Sequence, residues 1–258
     1  MISFQRLGVV MAHELRMTSR DWSPVAVMLI FPVISMAFLK PAFQPALQQA
    51  GYKGANGAEQ VVPGQAVIAA FFVVSLVVFA FFTEYGGSTW DRLRASRAAS
   101  IEIVLGKTLP RIGLTVVQFV VVLVAGVLIF DLNIRGSVVA LAPLVVAFSI
   151  CLAFLGVAAV ALCRTAQQAN AFSIVGMVLF GAIGGALVPY DVLPGWAKSI
   201  APVTPTYWAM RGFRSVIFDA EGLGGVLAPV GALLGMTMLF ALVALSRFRF
   251  DQQKIGWG

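Results

Sequence analysis

The sequence predicts an all-α polytopic membrane protein with six transmembrane helices, and three observations predict it. The 258 residues are 60 % hydrophobic and only 11 % charged, against ~25 % charged in a typical soluble domain. Mean hydropathy is +0.93. Apolar windows near the ~20 residues needed to cross a bilayer recur six times. Charge is gathered rather than spread: Glu84 to Arg111 holds five basic and three acidic residues, eight of the 29 charged residues of the chain (18 basic plus 11 acidic).

Taken in order, Phe4–Arg20 reads as an amphipathic helix before the first span. Phe4, Leu7, Gly8, Met11, Leu15 and Thr18 form its apolar stripe, flanked by Arg6, His13, Arg16 and Arg20, with Glu14 on the same helix. Such a helix lies in the membrane interface. Met1–Asp21 has scattered charges and no short apolar core before a small-residue site, so no cleavable signal is expected. The spans are expected at Ser23–Leu39, Gln65–Thr83, Leu109–Phe130, Val138–Leu162, Ala169–Val188 and Gly224–Leu245. Pro24 suits a first helical turn and Pro32 a kink. Lys40 is expected to end the first span and snorkel outward, with Pro41–Val62 an external loop. The second span carries Phe71, Phe72, Phe79, Phe81 and Phe82.

Two further features bear on packing. Gly181 with Gly185, and Gly231 with Gly235, have the GxxxG spacing that lets helix backbones approach closely, within one subunit or between two. Cys151 and Cys163 lie twelve residues apart on one span, too far along a helix to pair, and read as small packing residues. After the fifth span, Pro189–Leu223 is too broken to span and too apolar to float in water. Short helices dipping into the outer leaflet satisfy both, with Trp and Tyr at headgroup depth. Thr204 caps a helix with Pro205 at its first position, and Arg211 and Arg214 lie one turn apart on it.

An even number of spans puts both termini on one side. That side carries Arg6, Arg16, Arg20, the five basic residues between Glu84 and Arg111, Arg164, Arg247, Arg249 and Lys254. The other carries Lys40, Lys53, Arg135, Lys198, Arg211 and Arg214. Twelve against six makes the first side cytoplasmic. The charge island, so rich in polar groups, is expected to face water there. The formal net charge of +7 belongs to this rim and to anionic lipid; no basic soluble module offers a face for nucleic acid.

Ionisable groups are nearly absent from the third to sixth spans as drawn, although ion-coupled pumps keep them there despite a cost of about 2.5–3.5 kcal/mol each. The energy for transport is therefore expected to come from another chain. A secondary transporter lacks coupling charges, and a membrane enzyme would need more than His13 and scattered acids. Gly106-Lys107-Thr108 imitates the end of a phosphate-binding loop, but Ile101 stands where that motif requires Gly. Read as a short helix instead, the island has Ser88 as its cap, Asp91 in its first turn, and Trp90 and Leu93 on an apolar side beside Arg92 and Arg94. Such a helix fits a groove in a partner protein.

The same residues resemble the first cytoplasmic loop of type-2 ABC exporter permeases: Glu84, Thr89, Asp91-Arg92-Leu93, Glu102 and Gly106-Lys107 stand at that family's spacing. The chain departs from the pattern at Ser88, where Gly is common, and at Arg97, where Pro is common. The late segment resembles the family too, through Gly185-Ala186, Pro189, Leu193-Pro194-Gly195-Trp196, Pro205, Trp208 (with Tyr207 beside it) and Arg214. Within the family, the Val-Pro-Tyr-Asp-Val-Leu-Pro-Gly-Trp run is most similar to daunorubicin-resistance-type permeases.

The resemblance implies one transmembrane domain over 1–258, with an interfacial helix at 1–21, a cytoplasmic coupling loop at 84–108 and an external re-entrant segment at 189–223. It implies a permease subunit, itself no enzyme, in the cytoplasmic (inner) membrane of a prokaryote. The chain would pair with a second permease, the same or different, and with two copies of an ABC ATP-binding subunit that holds ATP and Mg. The helix around Ser88–Arg97, with Glu84 and Glu102, would dock in the ATPase, braced by the N-terminal helix through Arg6, Glu14 and Arg16. The substrate would be an apolar or amphipathic drug, antibiotic or lipid-like molecule, which the second-span phenylalanines favour; a lipid or glycan exporter of the same architecture is the alternative.

Overall fold

The computed structural model describes residues 3–49, 51, 54–86 and 99–247. Helix α1 (Phe4–Arg20) leads into α2 (Ser23–Gln49), then α3 (Ala58–Ala70) and α4 (Phe72–Gly86). The long α5 (Ser100–Phe130), α6 (Leu141–Leu162) and α7 (Ala166–Ile183) follow. A broken segment holds the short α8 (Gly195–Ile200) and α9 (Pro205–Ile217), and α10 (Leu223–Arg247) closes the described chain. Among the described residues there is no strand. Among the described residues six stretches are long and apolar enough to cross a membrane: Ser23–Pro45, Ala58–Tyr85, Ser100–Phe130, Val138–Leu162, Ala166–Ile183 and Leu223–Arg247.

The bundle is built around α6, which packs against α10, α4, α5 and α9. Its core is aromatic. The Phe119 ring meets the edge of Phe148 at 6.0 Å and stacks on Phe213 at 5.9 Å, and Phe148 meets Phe71 at 6.5 Å. Offset and edge-on pairs of this kind add to the stabilisation from area buried. Helix α3 is buried along all thirteen residues, which explains its lack of an amphipathic period. Small residues make that possible: a β-carbon on Gly64 would stand 2.5 Å from the Ala186 carbonyl oxygen.

Several boundaries differ from expectation. Helix α2 does not stop at Lys40 but runs through Pro41 and Pro45, because a proline inside a membrane helix is tolerated when neighbours satisfy the freed carbonyl. Lys40 does not simply snorkel: its Nζ donates to the Phe130 carbonyl at 2.7 Å and lies 3.8 Å from the Asp131 carboxylate, capping the end of α5. The second span begins at Ala58 rather than Gln65, inside the stretch read as loop. The third begins at Ser100 rather than Leu109. The fifth span, α7, ends at Ile183, so Gly185 is not in it; Gly185 sits in the turn with φ +90°.

Of the two GxxxG pairs, the first packs within the chain, Gly181 against Ile68 and Gly185 against Tyr190, while among the described residues a β-carbon on Gly231 or Gly235 would meet nothing within 4 Å. The stripe on α1 is also shifted. The side turned to the protein carries Leu7, Val10, Met11, Glu14 and Thr18, whereas Phe4 is 85 % exposed and Gly8 and Leu15 face outward. In the second span Phe71, Phe81 and Phe82 are buried core residues; only Phe79 is exposed. Cys151 is buried in α6 and Cys163 caps its end, about 18 Å further along the helix.

Candidate functional site

Lys107 and Arg111 lie one turn apart on α5, and the helix starts early enough to carry both inward. Lys107 is 1 % exposed and Arg111 8 %, so neither faces water as the charge island was expected to. From α1, Glu14 reaches between them: Lys107 Nζ donates to Glu14 Oε1 at 2.6 Å, and an Arg111 guanidinium nitrogen donates to Glu14 Oε2 at 2.7 Å. From the end of α4, Glu84 Oε1 accepts from Lys107 Nζ at 2.9 Å. The remaining donors go to the α4 and α5 backbone. Lys107 Nζ donates to the Ala80 carbonyl at 3.2 Å, Arg111 Nε to the Leu76 carbonyl at 3.1 Å, and the other Arg111 nitrogen to the Lys107 carbonyl.

Two acids and two bases thus form a buried quartet that ties α1 to the second and third spans. Taking such charges from water is costly, and only this close pairing with extra hydrogen bonds offsets it. Burial pushes the Glu14 carboxyl up, but Arg111 and Lys107 beside it outweigh that and hold it below its ordinary value of 4.5. The polar face continues up α5 with Thr115, whose hydroxyl donates to the Arg111 carbonyl, and Gln118, whose side-chain nitrogen donates to the Ala66 carbonyl at 3.3 Å.

Glu102 is placed apart from Glu84. Fully buried at the start of α5, it accepts from the Ala99 amide at 2.9 Å and from the Ser3 amide at 2.5 Å. One carboxylate therefore sits at the N-termini of two helices, α5 and α1, where their dipoles favour negative charge. Arg6 and Arg16 lie on the exposed side of α1. Ser88, Thr89, Trp90, Asp91, Arg92, Leu93 and Arg94 fall outside the described residues. The apparent phosphate-loop end at Gly106-Lys107-Thr108 is interior helix, with the Lys107 ammonium already held by carboxylates.

A cavity of about 510 Å³ opens beside the quartet, walled by α1, α2, α4, α5 and α7. Glu14, Glu84 and Arg111 form its charged side; Phe72, Leu76, Phe79 and Leu114 form the apolar side, and Asn170 enters from α7. That volume is in the range of small-molecule sites.

At the opposite end, the broken segment is ordered by its own caps. Thr204 Oγ1 accepts from the Tyr207 amide at 3.3 Å, with Pro205 at the first position of α9, as the sequence predicts. Trp208 Nε1 donates to the Pro202 carbonyl at 2.8 Å. Arg214 pairs with Asp191 at 2.9 Å and Arg211 lies 5.4 Å from the Trp208 ring centroid. Pro189 is buried in the turn after α7, while Pro194 and Trp196 are exposed at the start of α8.

The quartet was not foreseen, although signals for it exist. Lys107, Arg111, Thr115 and Gln118 recur at helical spacing on one face of an unbroken apolar stretch, and Glu14 falls in register with Leu7, Val10, Met11 and Thr18.

Comparison with known proteins gives consistent matches. A family model described as ABC-2 type transporter matches residues 5–218. The chain is 27 % identical to the "Linearmycin resistance permease protein LnrN" of Bacillus subtilis (strain 168) over 160 residues, 62 % of this chain and 41 % of that protein. It is 25 % identical to the "Probable multidrug ABC transporter permease YbhR" of Escherichia coli (strain K12) over 190 residues, 73 % of this chain and 52 % of that one. The chain spans about half the length of the curated relatives it matches.

Proposed function

Because this chain belongs to the ABC-2 type transporter family, we propose that it is the transmembrane permease subunit of an ATP-driven exporter. A separate ABC ATP-binding subunit, in two copies, carries the ATP and Mg, and a second permease chain, identical or different, completes the pathway. The chain sits in the cytoplasmic membrane of a prokaryote with both termini inside and acts as one transmembrane domain over 1–258. The observation that carries this reading is the Glu14–Lys107–Glu84–Arg111 quartet. It locks the N-terminal helix to the spans on both sides of the 87–98 segment, so a push delivered there reaches α1, α4 and α5 together. Buried ion pairs have discrete partners, which suits a rigid-body switch between packed states.

The cargo is an apolar or amphipathic drug, antibiotic or lipid-like molecule. Relatives named for linearmycin resistance and for multidrug transport support the drug reading. The cavity beside the quartet supports an amphipathic cargo, since one wall is charged and the other carries Phe72 and Phe79. That half-charged wall equally suits a lipid, the second reading.

The test is co-purification with the ABC ATPase. Replacing Arg92 and Leu93 together with Ala should abolish pull-down of the ATPase while the permease still inserts. Lys107→Met should instead retain pull-down and lose cargo-stimulated ATP hydrolysis. Full pull-down by the double variant would reject the docking helix, and full stimulation in the Lys107 variant would reject the quartet as the link.

A further inference from the structure

The end of the bundle opposite α1 holds a second cavity, of about 370 Å³, between the first turns of α3 and α10 and the segment joining α7 to α9. Its level is that of the membrane interface, because two spans begin there, at Ala58 and Leu223. Tyr190 and Tyr207 pack on one another at 5.4 Å on one side, an aromatic placement suited to headgroup depth.

The charges lining it are of both signs and are not all used by the fold. Asp191 and Arg214 pair with each other. Arg211 lies over the Trp208 ring and, among the described residues, has no carboxylate partner. Glu59 is at the floor and 7 % exposed. Its Oε2 accepts from the Asn56 amide at 3.1 Å, and no described donor meets its Oε1. Asp219 and Glu221 stand at the rim with no described side-chain partner. Gln60 lies beside Glu59 and fixes the wall by donating to the Gly185 carbonyl at 2.8 Å.

A purely cationic ligand would leave the Arg211 side uncompensated, and an anion would face three carboxylates. A dipolar ligand satisfies both. We propose that this cavity binds a zwitterionic phospho-ammonium group, with its phosphate on Arg211 and its ammonium on Glu59, Asp219 and Glu221. At interfacial depth its source is the headgroup of a phosphatidylethanolamine-type lipid. The proposal stands apart from the exporter reading, since it uses neither the quartet nor the 87–98 segment.

Native mass spectrometry on full-length chain taken from vesicles of equal phosphatidylethanolamine and phosphatidylglycerol tests it. Wild type should retain the zwitterionic lipid about tenfold over the anionic one, and Arg211→Ala and Glu59→Gln should each remove that preference. The glutamine keeps an acceptor for the Asn56 amide, and the exposed Arg211 position serves if the Glu59 variant fails to fold. Soluble phosphoethanolamine at millimolar concentration separates the sources. Retention of lipid against it supports an intact lipid as ligand, and displacement supports the same chemistry recognised as a free headgroup. Equal retention of both lipids by wild type, or an unchanged preference in Arg211→Ala, would overturn the proposal.

Discussion

At the scale of single residues, Glu14 is the side chain on which most depends, because both buried cations converge on it. Removing one member of a buried ion pair typically costs about 3–5 kcal/mol. Glu14→Ala should therefore lower the unfolding midpoint in detergent markedly, whereas exposed Arg16→Ala should change stability by less than about 0.5 kcal/mol. Glu14→Gln and Lys107→Met are in contact, so their effects should fall short of additive when combined, read by a double-mutant cycle. The carboxyl of Glu14 is held below its ordinary 4.5. A group whose folded value is depressed contributes stability above the unfolded value and loses it as pH falls through the folded one. Thermal stability should accordingly hold down to about pH 5 and decline below 4.5, with Glu14→Gln flattening that decline. Glu14 was legible as part of an amphipathic helix but not as buried, because a carboxylate on an apolar stripe gains its partners only from residues about ninety positions away.

Among the elements, the most informative is the second span. It breaks at Phe71 without proline or glycine: the Phe71 amide bonds to the Ile68 carbonyl at 3.1 Å and the Val74 amide to the Phe71 carbonyl at 3.0 Å, both one residue tighter than α-helix. Gln118 donating to the Ala66 carbonyl just above draws one backbone acceptor toward α5, and such inserted side chains are a known cause of helix irregularity. The sequence carries no local sign of this break, since its cause lies on another helix. Element existence, by contrast, was plain, because twenty apolar residues admit one structure in lipid. Helix starts were missed wherever polar residues turned out to be buried, as at Glu59 and Lys107. Close packing gives a clean contrast in glycines. Gly64→Val pushes a side chain into the Ala186 carbonyl and should cost at least about 1–3 kcal/mol, while Gly231→Ala, open to its surroundings, should stay within about 0.5 kcal/mol. Thermal unfolding of the two variants side by side reads the difference.

For the whole molecule, the arrangement of spans places α1 and the quartet at one end and the Tyr190–Tyr207 cavity at the other. In a chain whose own cysteines are replaced by serine, single cysteines at Arg16 and Trp196 should separate by side. A membrane-impermeant maleimide applied to intact spheroplasts should label position 196 and leave position 16 unlabelled; the reverse pattern would invert the orientation. The family of the chain was legible from short motifs at both ends, while the link between them was not, because it is made of contacts rather than of adjacent residues. One property of that link reaches further. Glu14, Glu84, Lys107 and Arg111 sum to zero charge, and membrane voltage does about 2.3 kcal/mol of work per 100 mV only on net charge. In the exporter proposed above, a stroke that carries the four together moves no net charge through the membrane field, so for a neutral cargo the rate in proteoliposomes should hold when a potassium diffusion potential is imposed; a rate that follows the potential would show that the quartet does not move as a unit.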